Sequence, residues 1–223
     1  MNRKNKNILL FSGGLDSFIA WHYLNYPPVL FMDAGQSYAK KESKIRWFRR
    51  KENKGIGPTR NQLVKLAHGK YISICDADDK ILPGKLKKHA RILDKYPQII
   101  VVYGNILTID KYGQSIKDPS LVARDLNNWW DLLETAVMHN SATIRKSAIL
   151  KVGGYDETTA AVEDYDLWLK LAEIGPFKCL HEPFAISRYY SESTSARNLH
   201  RAEKDMIKVK KYAILRRYGK HLA

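Results

Sequence analysis

The run Gly69-Lys70-Tyr71-Ile72-Ser73-Ile74-Cys75-Asp76-Ala77-Asp78-Asp79 limits what this chain can fold into more than any other stretch. Tyr71, Ile72, Ile74 and Cys75 suit a strand buried on both faces, as in the interior of a covered parallel sheet. Carboxylates follow as soon as the apolar run stops. Open α/β sheets bind ligands at the carboxyl edge of their strands. There an Asp-x-Asp pair can hold one hard cation through oxygen and leave positions open for a diphosphate. The same residues also suit an Asp-rich turn that caps the next helix, since Asp favours turns and N-caps alike.

The flanks add an ordered series of short motifs. Upstream stand Asn53, Gly55, Arg60 and Asn61, then Ala67, Gly69, Tyr71 and Ile72; downstream of Asp76 to Asp79 come Pro83, Lys85 and Leu86. Farther on lie Lys146-Ser147-Ala148, Gly153-Gly154-Tyr155-Asp156-Glu157 and Val162-Glu163-Asp164-Tyr165-Asp166-Leu167-Trp168. In this order they resemble the family 2 glycosyltransferases of the GT-A fold over about residues 45–200. The resemblance implies an α/β, Rossmann-like architecture with a mixed, mainly parallel sheet flanked by helices.

It also implies inverting transfer of a sugar from a nucleotide-diphosphate donor to an acceptor hydroxyl, assisted by a divalent cation, Mn or Mg. On that reading Asp78 holds the metal, Asp76 serves the nucleotide or a position behind it, and Arg60 reaches toward the donor. Asp164 is the base, a role that a carboxylate of ordinary acidity can fill because the hydroxyl becomes acidic only as the new bond forms. Arg60 suits a surface cation or a structural partner of a carboxylate equally well. Glu163 and Asp164 also suit the start of the helix that carries Leu167, Leu169 and Leu171. Asp166 reads as structural, and His139 as a ligand of donor or acceptor or as a packed core histidine. Trp129-Trp130 suits either a sugar-stacking platform or core packing.

The opening departs from that family. Asn7 to Phe11 is strand-like, Ser12-Gly13-Gly14-Leu15-Asp16-Ser17 is a Gly-rich loop, and Phe18 to Leu24 continues as a helix. Backbone N–H groups and a helix N-terminus in that order make an anion cradle. Residues 7–42 resemble the PP-loop ATP pyrophosphatases, such as the 7-cyano-7-deazaguanine synthases, which implies phosphate contacts from Ser12, Gly13 and Gly14. The later elements of that class, including its cysteine-rich metal site, have no counterpart in a chain with two cysteines. Asp33 stands where the transferase family carries an acidic second strand end and is expected to contact base or ribose. Three regions are therefore expected: a PP-loop-like βαβ opening within the sheet (1–44), a transferase core (45–196) and a basic amphipathic helix (197–223). The rival functions are an ATP-binding PP-loop protein of the pyrophosphatase or adenylating type, and a catalytically inactive chimera.

Composition narrows the partners. Of the 223 residues, 44% are hydrophobic and 27% charged, which fits a soluble globular protein with a substantial core. No apolar run reaches the length of a membrane span, and the expected location is cytoplasmic, at most at the inner membrane face. The formal charge of +15 is concentrated in Lys40 to Lys54 and Arg197 to Lys220. Within the latter, Leu199, Ala202, Met206, Val209 and Ala213 recur at steps of three and four, giving a helix with one apolar and one basic face. That helix suits docking on its own domain first and on an anionic membrane second. The expected acceptor is a glycan or lipid-linked hydroxyl, and nucleic acid is not an expected partner.

Overall fold

The computed structural model describes residues 54–76, 79–117, 122–135, 137–159, 162–189 and 199–219, together with the backbone of 7–11, 29–32 and 45–48. Among these, nine strands form one sheet: β1 Asn7–Phe11, β2 Val29–Met32, β3 Ile45–Phe48, β4 Tyr71–Cys75, β5 Lys80–Ile81, β6 Val101–Ile109, β7 Ser115–Ile116, β8 Thr143–Arg145 and β9 Phe177–Arg188. Their order is β3-β2-β1-β4-β8-β6-β9-β5, with β7 on β6. Strands β1 to β4 are mutually parallel along that path, β8 runs antiparallel between β4 and β6, and β6 and β9 are parallel. This is the mixed, mainly parallel sheet of a GT-A-like α/β fold. The site expected at Ser12 to Gly14 and at Asp33 lies outside the described residues, as does Asp78.

All five residues of β4 are buried. Its polar member, Ser73, donates from Oγ to Ala142 O at 3.0 Å, so the hydroxyl is satisfied inside the sheet. Phe11 of β1 pairs with both Phe31 and Cys75, so β1, β2 and β4 finish at one edge. Asp76 follows directly after β4.

Five helices cover the sheet among the described residues: α1 Ile56–Leu66, α2 Lys85–Lys95, α3 Lys146–Lys151, α4 Glu163–Ala172 and α5 Leu199–Tyr218. Pro58 falls in the first turn of α1, where its missing N–H costs nothing. The main core gathers Ile72, Ile74, Val101, Ile144, Leu167, Trp168 and Leu171 between the sheet and α1, α4 and α5.

The basic helix α5 packs inward through Val209 and Ala213, with Ala202, Met206 and Ile214 at the margin. Lys210 Nζ donates to Leu133 O at 2.6 Å, and Arg216 bridges to Glu173 at 2.7 Å. Lys204, Lys208 and Lys211 remain exposed. Trp129 is buried and donates from Nε1 to Leu169 O at 3.1 Å, whereas Trp130 stacks on Tyr218 with centroids 5.2 Å apart. The tryptophan pair thus belongs to the seat of α5. Trp129→Ala is expected to cost about 3–5 kcal/mol, the usual range for emptying a buried aromatic site. Limited proteolysis should then find new cleavage within 199–219, and an unchanged digestion pattern would place the seat of α5 elsewhere.

Candidate active site

Arg60, buried on α1, is the hub of the polar cluster at the end of β4. Its Nη1 donates to Glu163 Oε1 at 2.5 Å and its Nη2 to Asp76 Oδ1 at 3.0 Å. One guanidinium therefore joins the carboxylate that ends β4 to the carboxylate that opens α4. Glu163 and Asp164 are the first two residues of α4, whose N-cap is Val162. Asp164 is half-buried, and its Oδ1 accepts from Tyr165 N at 2.8 Å. Two carboxylates and Asp166 in one first turn complement the positive end of the helix dipole. Asp166 itself pairs with Lys170 at 2.7 Å, one turn along, and takes no part in the cluster.

The neighbour of Arg60 ties the second motif to the same helix. Asn61 Nδ2 donates to Tyr155 O and to Glu157 Oε1, both at 2.9 Å, while Tyr155 N donates to Asn61 Oδ1 at 2.8 Å. This brings Gly153 to Glu157 against α1. Gly154 has φ +80°, and a Cβ there would lie 2.4 Å from Asn61 Oδ1. Gly154→Ala combines left-handed strain with that collision. We expect a loss of about 1–3 kcal/mol, read as a lower midpoint in urea; an unchanged midpoint would mean that the turn does not depend on glycine.

Tyr155 connects onward. The Arg60 guanidinium lies 5.7 Å from the centre of its ring, and its hydroxyl is 2.9 Å from His139 Nε2. His139 sits in a 3-10 turn, His139–Ser141, edge-on to Trp168, and burial holds it well below the usual imidazole range. A buried, neutral histidine locked to a tyrosine is a packed element of the wall.

Asp79 does not share the open edge with Asp76. It is buried and accepts from Asn140 Nδ2 at 2.5 Å, Ser187 Oγ at 2.9 Å and Arg188 N at 3.3 Å. Behind it Lys85, fully buried, donates from Nζ to Asn140 O. Burial pushes the Lys85 ammonium down to about 7, against the opposing pull of Cys75 and Asp79. These groups anchor the far end of the acidic turn to β9 and leave its beginning, at Asp76, toward Arg60.

With this geometry in view, comparisons with known proteins are decisive. The model of the family described as Glycosyl transferase family 2 matches residues 33–153, more than half of the chain. The chain belongs to glycosyl transferase family 2. An uncharacterized glycosyltransferase of Methanocaldococcus jannaschii is 31% identical over 138 residues, covering 60% of this chain and 47% of that protein. The chondroitin synthase of Escherichia coli is 27% identical over 191 residues, covering 84% of this chain and 25% of that protein. Among solved structures, S. aureus TarS 1-349 in complex with UDP-GlcNAc superposes with a TM-score of 0.72 at 15% identity, covering 94% of this chain and 66% of that one. The family 2 chain therefore spans between a quarter and a half of the length of these two curated relatives. The family match begins at Asp33, inside the segment that resembles a PP-loop opening, and the PP-loop resemblance finds no support among these matches.

For this family 2 member, the carboxylate pair on α4 sets the electrostatics. Burial, and then the charge of Asp164, push Glu163 upward against the pull of Arg60. Burial likewise pushes Asp164 upward, with Arg60 opposing and Asp76 adding to the rise. The two titrate as a pair. The Arg60 guanidinium is held above its ordinary value: burial opposes its charge, but Asp76, Tyr155, Glu163 and Asp164 together outweigh it.

Because the folded pair holds protons more tightly than the unfolded chain, its contribution to stability is largest at acid pH. It declines as pH rises from the ordinary carboxylate range through the raised values. Stability of the wild type is therefore expected to fall between about pH 4.5 and neutrality at this site. In Glu163→Gln that component of the slope should be smaller, as measured by urea midpoints across pH. An identical slope in the variant would remove the pair as its source.

Two groups in the site escape a reading of residues alone. Glu163, read beside the expected base Asp164 or as part of the helix start, is the carboxylate that holds Arg60. The Lys85–Asn140–Asp79 latch joins residues more than fifty positions apart. The lysine lies in one of the recognised motifs, but no local pattern shows that it is buried.

Proposed function

We propose that this chain transfers a sugar, with inversion, from a nucleotide-diphosphate donor to an acceptor hydroxyl with the help of Mn or Mg. The observation that carries the reading is Arg60, which links the strand-end carboxylate Asp76 to the α4 pair through one buried guanidinium. Donor-side and acceptor-side groups of such a reaction must be held at a fixed separation on opposite faces of the anomeric carbon, and a shared cation does this.

Asp76 and Asp78 would hold the metal and the nucleotide; their hard oxygen donors at a strand end match what Mg and Mn take. When bound, the cation supplies charge neutralisation for the departing diphosphate. Asp164, half-buried and beside that edge, accepts the proton of the attacking hydroxyl. Its raised affinity for a proton makes it a better base than a free aspartate, at the cost of being protonated at mildly acid pH. Arg60, already engaged on both terminal nitrogens, acts on the donor through Asp76. Asp33 is the proposed contact to the nucleoside, and Ser12, Gly13 and Gly14 are proposed contacts to the nucleotide. The acceptor proposed is a glycan or lipid-linked hydroxyl, and the exposed lysines of α5 suit an anionic membrane carrying it.

UDP is the first nucleotide to try, because the TarS structures that share this fold hold UDP and UDP-GlcNAc. The test is a thermal-shift screen of UDP, GDP, dTDP and ATP, each with and without Mn. A Mn-dependent rise with one nucleoside diphosphate is expected. A rise with ATP alone, indifferent to metal, would move the function to the N-terminal glycine loop, and no rise with any nucleotide would overturn the proposal.

A further inference from the structure

A second set of donor side chains converges where residues 122–128 cross the β6–β9 pair. Three successive residues are tied down there. Ala123 N donates to Asn105 Oδ1 at 2.9 Å, Tyr103 Oη donates to Arg124 O at 2.5 Å, and Asp125 Oδ2 lies 2.9 Å from His181 Nε2. Tyr103 in turn stands opposite Cys179 in the strand register. The register breaks just beyond, between Gly104 and Asn105, which leaves His181 and Glu182 without partners on β6 and bulges them outward. A Cβ on Gly104 would lie 2.3 Å from Leu180 O, so the close approach of the two strands at the bulge requires glycine. Bulges re-aim side chains, and this one turns His181 toward both Cys179 and Asp125.

Cys179 Sγ lies 3.9 Å from His181 Nδ1, and one donor atom from each of Asp125, Cys179 and His181 lies within 4.8 Å of the others. Cys179 is buried at 3% exposure, whereas the His181 and Asp125 side chains are 57% and 55% exposed. The cluster thus has a fixed sulfur at its base and two movable donors at its mouth. We propose that Asp125, Cys179 and His181 bind a thiophilic divalent cation of the zinc class.

The chemistry of the donors selects the ion. A thiolate, an imidazole and a carboxylate suit zinc, cobalt or a similar borderline metal, whereas Mg and Mn take oxygen-rich sets. With bond lengths of about 2.0–2.3 Å, tetrahedral donors stand roughly 3.3–3.7 Å apart. The Cys179–His181 separation is already close to that, and the exposed carboxylate and imidazole can close the remainder. Solvent at the mouth supplies the fourth position. The ion would replace the thiol proton and pin residues 122–128 to β9, separately from the carboxylates around Arg60.

The test is titration of the full, untagged, reduced chain with Co2+ alone, followed by Zn2+ competition. A thiolate-to-cobalt charge-transfer band that saturates at one ion per chain and is erased by Zn2+ is expected. Cys179→Ser should abolish the band, and His181→Ala and Asp125→Asn, both on exposed positions that leave the core intact, should weaken binding by about 10- to 100-fold. Cys75→Ser should leave it unchanged. Absence of the band in wild type, its survival in Cys179→Ser, or affinities unaltered in both surface variants would reduce the cluster to a hydrogen-bonded strap and overturn the proposal.

Discussion

Arg60→Met should lower the stability of the folded chain by about 3–5 kcal/mol, the range measured when one partner is removed from a buried charge pair. Methionine conserves much of the packing volume, so the loss isolates the charge. Glu163, with 7% of its side chain exposed, would stand beside Asp164 and Asp76 without the guanidinium that pairs with it. For a chain of this size the change corresponds to a melting temperature lower by roughly 2–4 °C per kcal/mol. The pH dependence identifies the cause. Without Arg60 the carboxylates bind protons still more tightly in the folded state, so the deficit should shrink on acidification from neutrality toward pH 5. Arg60→Lys should recover only part of the stability, since one ammonium cannot span Glu163 and Asp76 as the two-pronged guanidinium does. A deficit that is independent of pH would show that Arg60 acts through packing alone.

The second large effect is on turnover. Asp164→Asn is nearly isosteric, and its amide oxygen can still accept from Tyr165 N. If Asp164 takes the proton of the acceptor, the substitution should reduce kcat by about 100- to 10,000-fold, the usual worth of a positioned general base. Nucleotide binding should be unchanged. Melting temperature should stay level or rise, because the repulsion between Glu163 and Asp164 is relieved. In wild type the acid limb of kcat/KM should lie above the ordinary carboxylate range, in line with the raised proton affinity of the pair. Retained turnover in Asp164→Asn would return this carboxylate to a purely helix-starting role.

Much of this arrangement was legible in the residues before the fold was known, for physical reasons that differ from element to element. The Tyr71 to Cys75 run reads as a buried strand because it is short, β-branched and aromatic, preceded by glycine, and ends abruptly in carboxylates. Helices α2 and α5 follow from apolar steps of three and four. The Arg60-Asn61 pair and the Gly153 to Glu157 turn are readable as motifs. Their mutual contact is not, since it joins positions 94 apart through the amide of Asn61.

The PP-loop resemblance shows the opposite limit. Strand, glycine-rich turn and helix form the generic opening of a parallel α/β sheet, so a six-residue likeness there carries little about function. The backbone of β1 and β2 pairs in parallel with β4 and β3 as the leading strands of the transferase sheet. The Asp125, Cys179 and His181 cluster was hidden for a simpler reason. Asp125 lies 54 and 56 residues before Cys179 and His181, and it meets them only where residues 122–128 cross the bulged strand.

The acidic turn after β4 is proposed to bind a nucleoside diphosphate through a divalent cation. Calorimetric titration of UDP in the presence and absence of Mn, on wild type and on Asp78→Ala, tests it most directly. The expected result is binding by wild type only with Mn, and its loss in Asp78→Ala with the fold intact by circular dichroism. Mn-dependent binding of the same strength in Asp78→Ala would contradict it.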